Sequence, residues 1–364
     1  MDIAVIGGGH GCYAAAADLS EQGHSVRLWR RDRAALEPLK ARGGLMLKDF
    51  QGSRDVPLAL ITDDIGEAVR GAEVVLSPLP ATAQEGIAEA LAPHLVDGQI
   101  VFIPPGTFGS VVMARIVARA GNRSKVVFGE SGTLPYLARK HGPDTVAITT
   151  RATRLPSGVF PADASEPALA ALRQVYPAIE PLRDALDAAT MNAGPIIHPP
   201  LIVMNAGPLE SQERWDIHNE GTVPAIRAVT DKLDAERIAI REALGYGEPH
   251  FPLADHYDPS RPEWMYGNAA HERLTDSGDW REHIDLHHHR YMREDVSQGL
   301  CLLVSLAEWV GVPAPTATGL LALASAVLGE DLRQTGRSWE KLGLAEISRG
   351  GLRRLLDAGL PGAV

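Results

Sequence analysis

The chain opens with a short apolar segment, a run of glycines and an alanine-rich segment. Ile3 to Ile6 has the composition of a buried parallel strand, and Cys12 to Leu19 has that of a helix. Between them, Gly7 to Gly11 must turn tightly. A strand, a glycine turn and a helix N-terminus in this order form a site for the pyrophosphate of a dinucleotide, because free N–H groups and the helix dipole favour its charge.

This beginning predicts an N-terminal α/β domain with a doubly wound parallel sheet, the Rossmann fold. Cys12 stands where the third glycine of the usual fingerprint is expected, and its small side chain still allows close packing of the helix. The departure leaves open which glycine has which role. The residues predicted to contact the cofactor here are Gly7, Gly9, His10, Gly11 and Cys12.

The predicted second strand, Ser25 to Trp29, runs into a basic segment. NAD-binding domains usually have an acidic residue at this point, which binds the ribose hydroxyls. Here the position holds Arg30, followed by Arg31, and arginine offers forked donors to a 2′-phosphate. The whole chain is acidic, with 46 Asp and Glu against 35 Lys and Arg, so a basic cluster departs from the trend. We therefore predict that NADP(H) is preferred over NAD(H); a solvated basic loop is the alternative.

Composition excludes several classes of protein. A length of 364 residues predicts about two domains, and a net charge of −11 argues against nucleic acid or an anionic membrane as the main partner. The longest apolar run, Leu320 to Leu328, is too short to span a bilayer. Cys12 and Cys301 have apolar neighbours and are expected to pack rather than form a disulfide. No signal peptide precedes the first strand, so we expect a cytoplasmic protein.

Strands and helices alternate up to about residue 185. Further strands are predicted at Ala72 to Ser77, Gln99 to Pro104 and Lys125 to Gly129. The loops that follow such strands face the ligand in a doubly wound sheet, although each residue in them is equally explained by ordinary turn chemistry. The residues predicted from these loops are Pro80, Thr82, Pro105 and Gly106 for the cofactor, and Glu130 and Ser131 for the substrate.

From about residue 186 the pattern is helical. Apolar side chains recur at helical spacing between Ile226 and Leu244, and two more helices are predicted at Asp295 to Val310 and Thr316 to Leu328. The segment from Tyr246 to Asp285 has no clear period. The prediction is thus a Rossmann domain at residues 1–185 and an all-helical domain at 186–364, with the substrate cleft between them. A helical second domain would also suit a homodimer.

A nicotinamide enzyme needs a proton donor or acceptor near the hydride. Many two-domain reductases place a lysine at the start of the helical domain, but this chain has none between Lys140 and Lys232. His198 is the only ionisable side chain in the run from Asn192 to Asn205, and histidine transfers protons near neutral pH. A core histidine is the alternative. Asp295 is explained either as part of a helix-capping box or as the partner of His198.

Four segments resemble the opine dehydrogenase family, and the resemblance extends over nearly the whole chain. It implies that His198 is the catalytic acid/base, that Asp295 pairs with it and that Arg290 binds a substrate carboxylate, with Asn192 in the same site. The chain departs from the family at Cys12, at Gly194, where some members have a second asparagine, and between Tyr246 and Asp285. The four segments are Asn192 to Asn205, Lys232 to Arg237, Arg290 to Gly299 and Gly336 to Leu344.

The resemblance implies a reductive condensation. An α-keto acid, by default a pyruvate-like one, and an amino acid form an imine, which NADPH reduces to a secondary-amine dicarboxylate. The amino donor is expected to contact the segment from Tyr246 to Asp285, whose acidic and aromatic side chains would favour a basic or bulky donor. Two alternatives remain, a keto-acid reductase of the ketopantoate type and a non-catalytic NADP-binding sensor. No metal site is predicted, because the side chains of His287 to His289 point in different directions.

Overall fold

The computed structural model describes residues 1–268, 270–280 and 283–360, which form two compact units. The first unit contains Met1–Leu79, Ala83–Ala189 and the chain from Gly350 onward; the second contains Pro80–Thr82 and Thr190–Arg349. The division after Ala189 comes four residues later than the sequence pattern suggests, because the short helix Ala185–Ala189 packs on the sheet of the first unit. The return of the C-terminal segment to the first unit was not predicted.

Twelve strands lie within the described residues of the first unit. They are β1 (Asp2–Ile6), β2 (Ser25–Trp29), β3 (Gly44–Asp49), β4 (Gly52–Pro57), β5 (Leu60–Thr62), β6 (Val74–Leu76), β7 (Ile100–Ile103), β8 (Val127–Ser131), β9 (Tyr136–Lys140), β10 (Thr145–Arg151), β11 (Leu155–Phe160) and β12 (Ile179–Pro181).

Eight of these strands form the main sheet, in the order β12-β11-β8-β7-β6-β1-β2-β5. Six neighbouring strands of this sheet are parallel, namely β5, β2, β1, β6, β7 and β8. Read in this spatial order, they follow the strand order 3-2-1-4-5-6 of a Rossmann domain. Strand β11 is antiparallel to β8. The predicted doubly wound sheet is confirmed, and its switch of strand order lies at β1, next to the glycine turn.

A second sheet of four strands, in the order β4-β3-β10-β9, was not predicted. It explains the alanine-rich helix after the glycine turn. That helix, His10–Glu21, is buried at every position from Cys12 to Leu19, because it packs against strands of both sheets. Tyr13 and the alanines of the helix share one core cluster with Leu47 and Val146 of the second sheet. Small side chains let both sheets approach the helix closely.

The helices of the first unit lie between its strands along the chain, as in a doubly wound fold. They are α1 (His10–Glu21), α2 (Glu37–Arg42), α3 (Ile65–Val69), α4 (Gln84–Leu91), α5 (Gly109–Arg119), α6 (Ser165–Val175) and α7 (Ala185–Ala189), with 3₁₀ turns at Ala34–Leu36 and Ala162–Ala164.

The described residues of the second unit form helices, turns and connecting loops, with no strand among them. Its helices are α8 (Gly194–Met204), α9 (Ala206–Ser211), α10 (Pro224–Ala243), α11 (Ala270–Asp276), the π-helix (Tyr291–Leu300), α12 (Cys301–Val310), α13 (Pro315–Leu328) and α14 (Leu332–Thr335), with a 3₁₀ turn at Leu253–Tyr257. Helix α15 (Arg349–Ala358) leads the chain back to the first unit. The predicted Rossmann and all-helical architecture is confirmed. Within the described residues, no helix has the length and apolar character needed to cross a membrane.

Cys12 and Cys301 are both buried free thiols, so the expectation of packing residues is confirmed. The Cys12 thiol lies under the glycine turn and donates to the carbonyl of Ile6 at 3.5 Å. Burial raises its pKa to about 12, which keeps the thiol protonated and unreactive.

Candidate active site

His198 and Asp295 form a close pair in the second unit. His198 projects from α8 and Asp295 from the π-helix, and the distance between His198 Nδ1 and Asp295 Oδ2 is 2.7 Å. Both side chains are almost buried, with exposed fractions of 11% and 9%. An aspartate on Nδ1 orients the imidazole ring and directs proton exchange with a substrate to Nε2. The pairing expected from the sequence is therefore present.

The capping-box alternative for Asp295 is wrong. The helical segment begins at Tyr291, four residues earlier than predicted, so Asp295 lies in the middle of the π-helix rather than at its N-terminus. Helices with π geometry occur often at functional sites, because the wider turn displaces side chains from the regular helical positions. Here the carboxylate reaches the ring of His198 instead of the backbone of its own helix.

Two glycines allow α8 and the π-helix to approach this closely. A Cβ atom at Gly194 would lie 2.2 Å from Asp295 Oδ1, and one at Gly299 would lie 2.1 Å from Cγ of Pro195. Both distances are far below van der Waals contact, so any side chain would push the helices apart. Gly194, noted in the sequence only as a departure from the family pattern, is thus needed for the position of Asp295.

An aromatic ring supports the histidine of this pair. The ring of Tyr291 stacks on His198, with 3.6 Å between the ring centroids and an angle of 12° between the planes. The Tyr291 hydroxyl and His218 Nε2 form a hydrogen bond of 2.7 Å, and Trp280 packs edge-on against His218. Tyr291 and His218 were missed in the sequence. Tyr291 could have been found, because it lies four residues before Asp295 and so close to the same helix face.

Arg290 and Asn192, both predicted to bind substrate, differ in their exposure to solvent. Arg290 is exposed to solvent, and its guanidinium carbon lies 5.4 Å from the centroid of the Tyr291 ring. Asn192 is buried, and its Oδ1 accepts a hydrogen bond from the backbone of Gly194 at 3.0 Å. The structure thus places Arg290 where a solute can reach it, while Asn192 supports the start of α8.

A second carboxyl group, that of Glu294, lies next to Asp295 in sequence. Glu294 is buried and accepts a hydrogen bond from the Ala81 N–H at 3.0 Å. Burial and the neighbouring Asp295 raise its pKa from 4.5 to about 7. Burial also raises the pKa of Asp295 to about 7, against the opposing effect of Arg290. Two buried carboxyl groups therefore change charge near neutral pH.

The change of Glu294 to glutamine is expected to stabilise the protein at alkaline pH. Since the folded-state pKa is raised, the stability contributed by Glu294 is complete below pH 4.5 and is lost as the pH rises to about 7. Glutamine does not ionise and can still accept from Ala81. One pKa unit corresponds to about 1.4 kcal/mol, so the variant should gain on the order of 1–3 kcal/mol at pH 8. Urea unfolding at pH 4.5 and pH 8 measures this difference.

The control for this experiment is Glu346→Gln, which removes the same charge from an exposed position. We expect this variant to change the free energy of unfolding by less than about 0.5 kcal/mol at either pH. An equal effect of Glu294→Gln at both pH values would contradict the raised pKa of Glu294.

The segment from Tyr246 to Asp285 contributes aromatic side chains and internal ion pairs. Trp264 and Tyr266 are buried and pack together. Asp255 and Asp258 both lie within ion-pair distance of Arg261. One guanidinium offsets only part of the charge of these two carboxylates, so the attraction of a basic donor stays a prediction.

The glycine turn of the first unit has the geometry that a dinucleotide requires. Gly7 has a φ of +119°, and a Cβ there would lie 2.5 Å from the Leu79 side chain. Gly9 precedes α1 and provides no side-chain cap, and nothing lies within 4 Å of the place where its Cβ would be. The N-terminus of α1 is thus left without a side-chain cap, which fits a bound pyrophosphate. Gly11 and Cys12 lie in the first turn of the same helix.

The predicted basic residues at the end of β2 differ in their surroundings. Arg30 is half-buried and lies against the glycine turn, where its Nη1 donates to the Tyr13 hydroxyl at 2.6 Å. Arg31 is exposed. His10 Nδ1 accepts a hydrogen bond from the backbone of Lys140 at 2.9 Å. Arg30, rather than Arg31, therefore lies next to the glycine turn.

The residues predicted from the loops after the strands are largely structural. Glu130 is fully buried, and its Oε2 accepts from the N–H of Phe108 at 2.7 Å, while Ser131 Oγ donates to the Thr133 carbonyl at 2.7 Å. A Cβ at Gly106 would lie 2.3 Å from the Glu130 carboxylate. These contacts indicate that Glu130 and Ser131 support the loops, rather than contact a substrate. Pro105 is half-buried, and Pro80 and Thr82 belong to the second unit.

A glycine turn that suits a dinucleotide in one unit and an almost buried histidine–aspartate pair in the other are typical of an NAD(P)-dependent oxidoreductase. The family description "NAD/NADP octopine/nopaline dehydrogenase, alpha-helical domain" matches residues 181–328. A second family description, "NAD-dependent glycerol-3-phosphate dehydrogenase N-terminus", matches residues 2–127. An opine dehydrogenase of Arthrobacter sp. (strain 1C) is 30% identical over 361 residues, 97% of this chain and 98% of that protein. The chain belongs to the opine dehydrogenase family and is an oxidoreductase that acts on CH–NH bonds.

Solved structures agree with this fold. Octopine dehydrogenase in complex with NADH and pyruvate superposes with a TM-score of 0.70 at 20% sequence identity, over 98% of each chain. Yersinopine dehydrogenase with bound NADP⁺ gives 0.65 at 17% identity, over 99% of this chain and 98% of the other. At these identities the likeness concerns the fold, and the non-catalytic sensor considered above is excluded by the family.

Proposed function

We propose that this protein is an NADP(H)-preferring opine dehydrogenase that condenses an α-keto acid with an amino acid. The observation that carries the proposal is the His198–Asp295 pair, stacked on Tyr291, in a chain of this family. Pyruvate bound to octopine dehydrogenase supports an α-keto acid as one substrate. NADP⁺ bound to yersinopine dehydrogenase shows that a protein of this fold accepts the phosphorylated cofactor.

His198 would transfer the protons of the reaction. Condensation of the amine with the keto group releases water and gives an imine, and reduction adds a hydride to the imine carbon and a proton to its nitrogen. The bound cofactor supplies the hydride. Since Nδ1 faces Asp295, proton transfer would use Nε2, and the carboxylate would stabilise the imidazolium form between transfers.

Arg290 would bind a substrate carboxylate. Its guanidinium and the His198 ring both lie next to the ring of Tyr291, so a carboxylate held by Arg290 would be close to the proton-transfer group. The planar fork of arginine matches a carboxylate with two parallel hydrogen bonds. Such a contact would fix the orientation of the substrate relative to His198.

The proposed activity predicts NADPH oxidation only when both substrates are present. A matrix of α-keto acids against amino acids, followed by NADPH absorbance, measures it, and NADH in the same matrix tests cofactor preference. We expect at least tenfold higher kcat/KM with NADPH. Mass spectrometry should detect a product that contains both carbon skeletons.

Three outcomes would contradict this proposal. Oxidation of NADPH by a keto acid alone would indicate a simple keto-acid reductase of the ketopantoate type. Equal kcat/KM for NADPH and NADH would refute the cofactor preference while leaving the condensation intact. A product without the amino-acid skeleton would refute the condensation itself.

A further inference from the structure

A lysine of the second sheet lies against the glycine turn. Lys140 ends β9, and its Nζ donates to the Gly8 carbonyl at 3.3 Å. The same Nζ lies 3.9 Å from the centroid of the Tyr13 ring, a cation–π distance. The backbone N–H of Lys140 donates to His10 Nδ1. Side chain and backbone thus both hold Lys140 at the turn, although more than 120 residues separate them in sequence.

Arg30 reaches the same place from β2. Its side chain packs on Gly8 so closely that a Cβ there would lie 2.2 Å from Arg30 Nε. Its Nη1 donates to the Tyr13 hydroxyl, which in turn donates to the carbonyl of Pro143 at 3.0 Å. Lys140 and Arg30 therefore share two neighbours, Gly8 and Tyr13, and form one basic cluster beside the turn.

Among the described residues, no carboxylate pairs with either cation of this cluster. Within residues 1–268, 270–280 and 283–360, neither Arg30 nor Lys140 forms an ion pair, whereas Arg27, Arg54 and Arg151 of the same unit each do. Both side chains of the cluster are half-buried. Burial, and then the charge of Arg30, lower the pKa of Lys140. Arg30 and Lys140 are thus two neighbouring cations in a chain of net charge −11. This arrangement suits the binding of an anionic ligand.

We propose that Lys140 and Arg30 together bind the 2′-phosphate of NADP(H). Arg30 stands directly after β2, where Rossmann domains bind the adenosine ribose, and the N–H groups at the start of α1 are the ones that suit the pyrophosphate. Lys140 Nζ has three donors, of which Gly8 takes one, so two are available for phosphate oxygens. The inference rests on the proposed preference for NADP(H) and adds a ligand from outside the N-terminal motif.

The test compares the dissociation constants of NADPH and NADH by isothermal titration calorimetry for the wild type and Lys140→Met. Methionine keeps most of the apolar stem next to Tyr13 and removes the charge. We expect the dissociation constant of NADPH to rise at least tenfold and that of NADH to change less than twofold. Lys140→Arg should restore most of the NADPH affinity. The matched control is Lys232→Met, which removes a lysine from an exposed site on α10 and should change neither constant.

Titration with 2′,5′-ADP and with 5′-AMP tests which phosphate Lys140 binds, since only 2′,5′-ADP carries the 2′-phosphate. We expect Lys140→Met to weaken 2′,5′-ADP and leave 5′-AMP unchanged. An equal loss for NADPH and NADH, or no loss for either, would overturn the role of Lys140. If the wild type itself binds NADH as tightly as NADPH, both the cofactor preference and this site are refuted. If the wild type prefers NADPH and Lys140→Met keeps the full preference, this inference alone fails.

Discussion

Replacement of His198 by alanine is expected to lower kcat for the condensation by about 10²–10⁴-fold, the usual contribution of a general acid–base. The reason is geometric: His198 pairs with Asp295 through Nδ1 and stacks on the ring of Tyr291, and the guanidinium of Arg290 lies near the same ring. Steady-state kinetics with the best substrate pair of the matrix measures the effect. The dissociation constant of NADPH should change less than twofold, because the glycine turn belongs to the other unit.

The matched control is His287→Ala, which removes an exposed histidine of the same unit and should leave kcat within twofold of the wild type. The His198→Ala variant also loses the ring that stacks on Tyr291, which can lower its stability. Thermal unfolding and NADPH binding are therefore measured for each variant. A folded His198→Ala enzyme that keeps more than a tenth of wild-type kcat would remove His198 from the proton-transfer role.

The change of Asp295 to asparagine should produce the second largest loss, about 10²-fold or more in kcat. An amide fills the same space between Gly194 and His198, but it has no charge to stabilise the imidazolium and does not select one ring tautomer. KM for the keto acid should change little, since the carboxylate of the substrate is assigned to Arg290. A large rise in KM with unchanged kcat would instead indicate a role of Asp295 in substrate binding.

The pH dependence of kcat distinguishes two roles of Asp295, orientation of the His198 ring by its carboxylate and a merely structural role. Burial raises the pKa of the Asp295 carboxyl to about 7, so the charged form is lost as the pH falls below that value. Wild-type kcat should therefore decline on the acid side of about pH 7, and the part of this decline that is due to Asp295 should be absent in the asparagine variant. Asp231→Asn, on the exposed side of α10, should keep the wild-type profile.

The stability of the asparagine variant provides a further check. A raised carboxyl pKa means that ionisation in the folded state costs stability as the pH rises through about 7. Asparagine does not ionise, so its melting temperature at pH 8 should equal or exceed that of the wild type. A lower melting temperature with a proportional loss of kcat would mean that Asp295 mainly holds the helices together.

Much of the first unit could be predicted because its signals are local. Strand β1, the glycine turn and α1 follow one another within 21 residues, and the parallel sheet was predicted from the alternation of strands and helices. The second sheet was not predicted, because its strands come from two distant parts of the chain, Gly44–Pro57 and Tyr136–Arg151. No local periodicity indicates that such segments pair, or that α1 lies between two sheets.

The His198–Asp295 pair shows the same division. The sequence singled out His198 as the ionisable side chain at the start of the helical part, but 97 residues separate it from Asp295. A hydrogen bond across that distance depends on how α8 and the π-helix pack, and this packing depends on Gly194 and Gly299. The resemblance to a family pointed to the pair, while the local pattern also allowed a helix cap at Asp295, which the structure does not contain.

The sequence by itself therefore determined the Rossmann and helical architecture, the dinucleotide site and the identity of the candidate proton-transfer residue, because each depends on neighbours within a few turns. Only the tertiary structure decided which charges meet. Folding pairs both Asp255 and Asp258 with Arg261, buries Glu130 against the start of α5, and brings Lys140 and Arg30 together beside the glycine turn, where neither forms an ion pair within the described residues. The energy of a charge depends on its burial and on the charges around it, and those are properties of the fold.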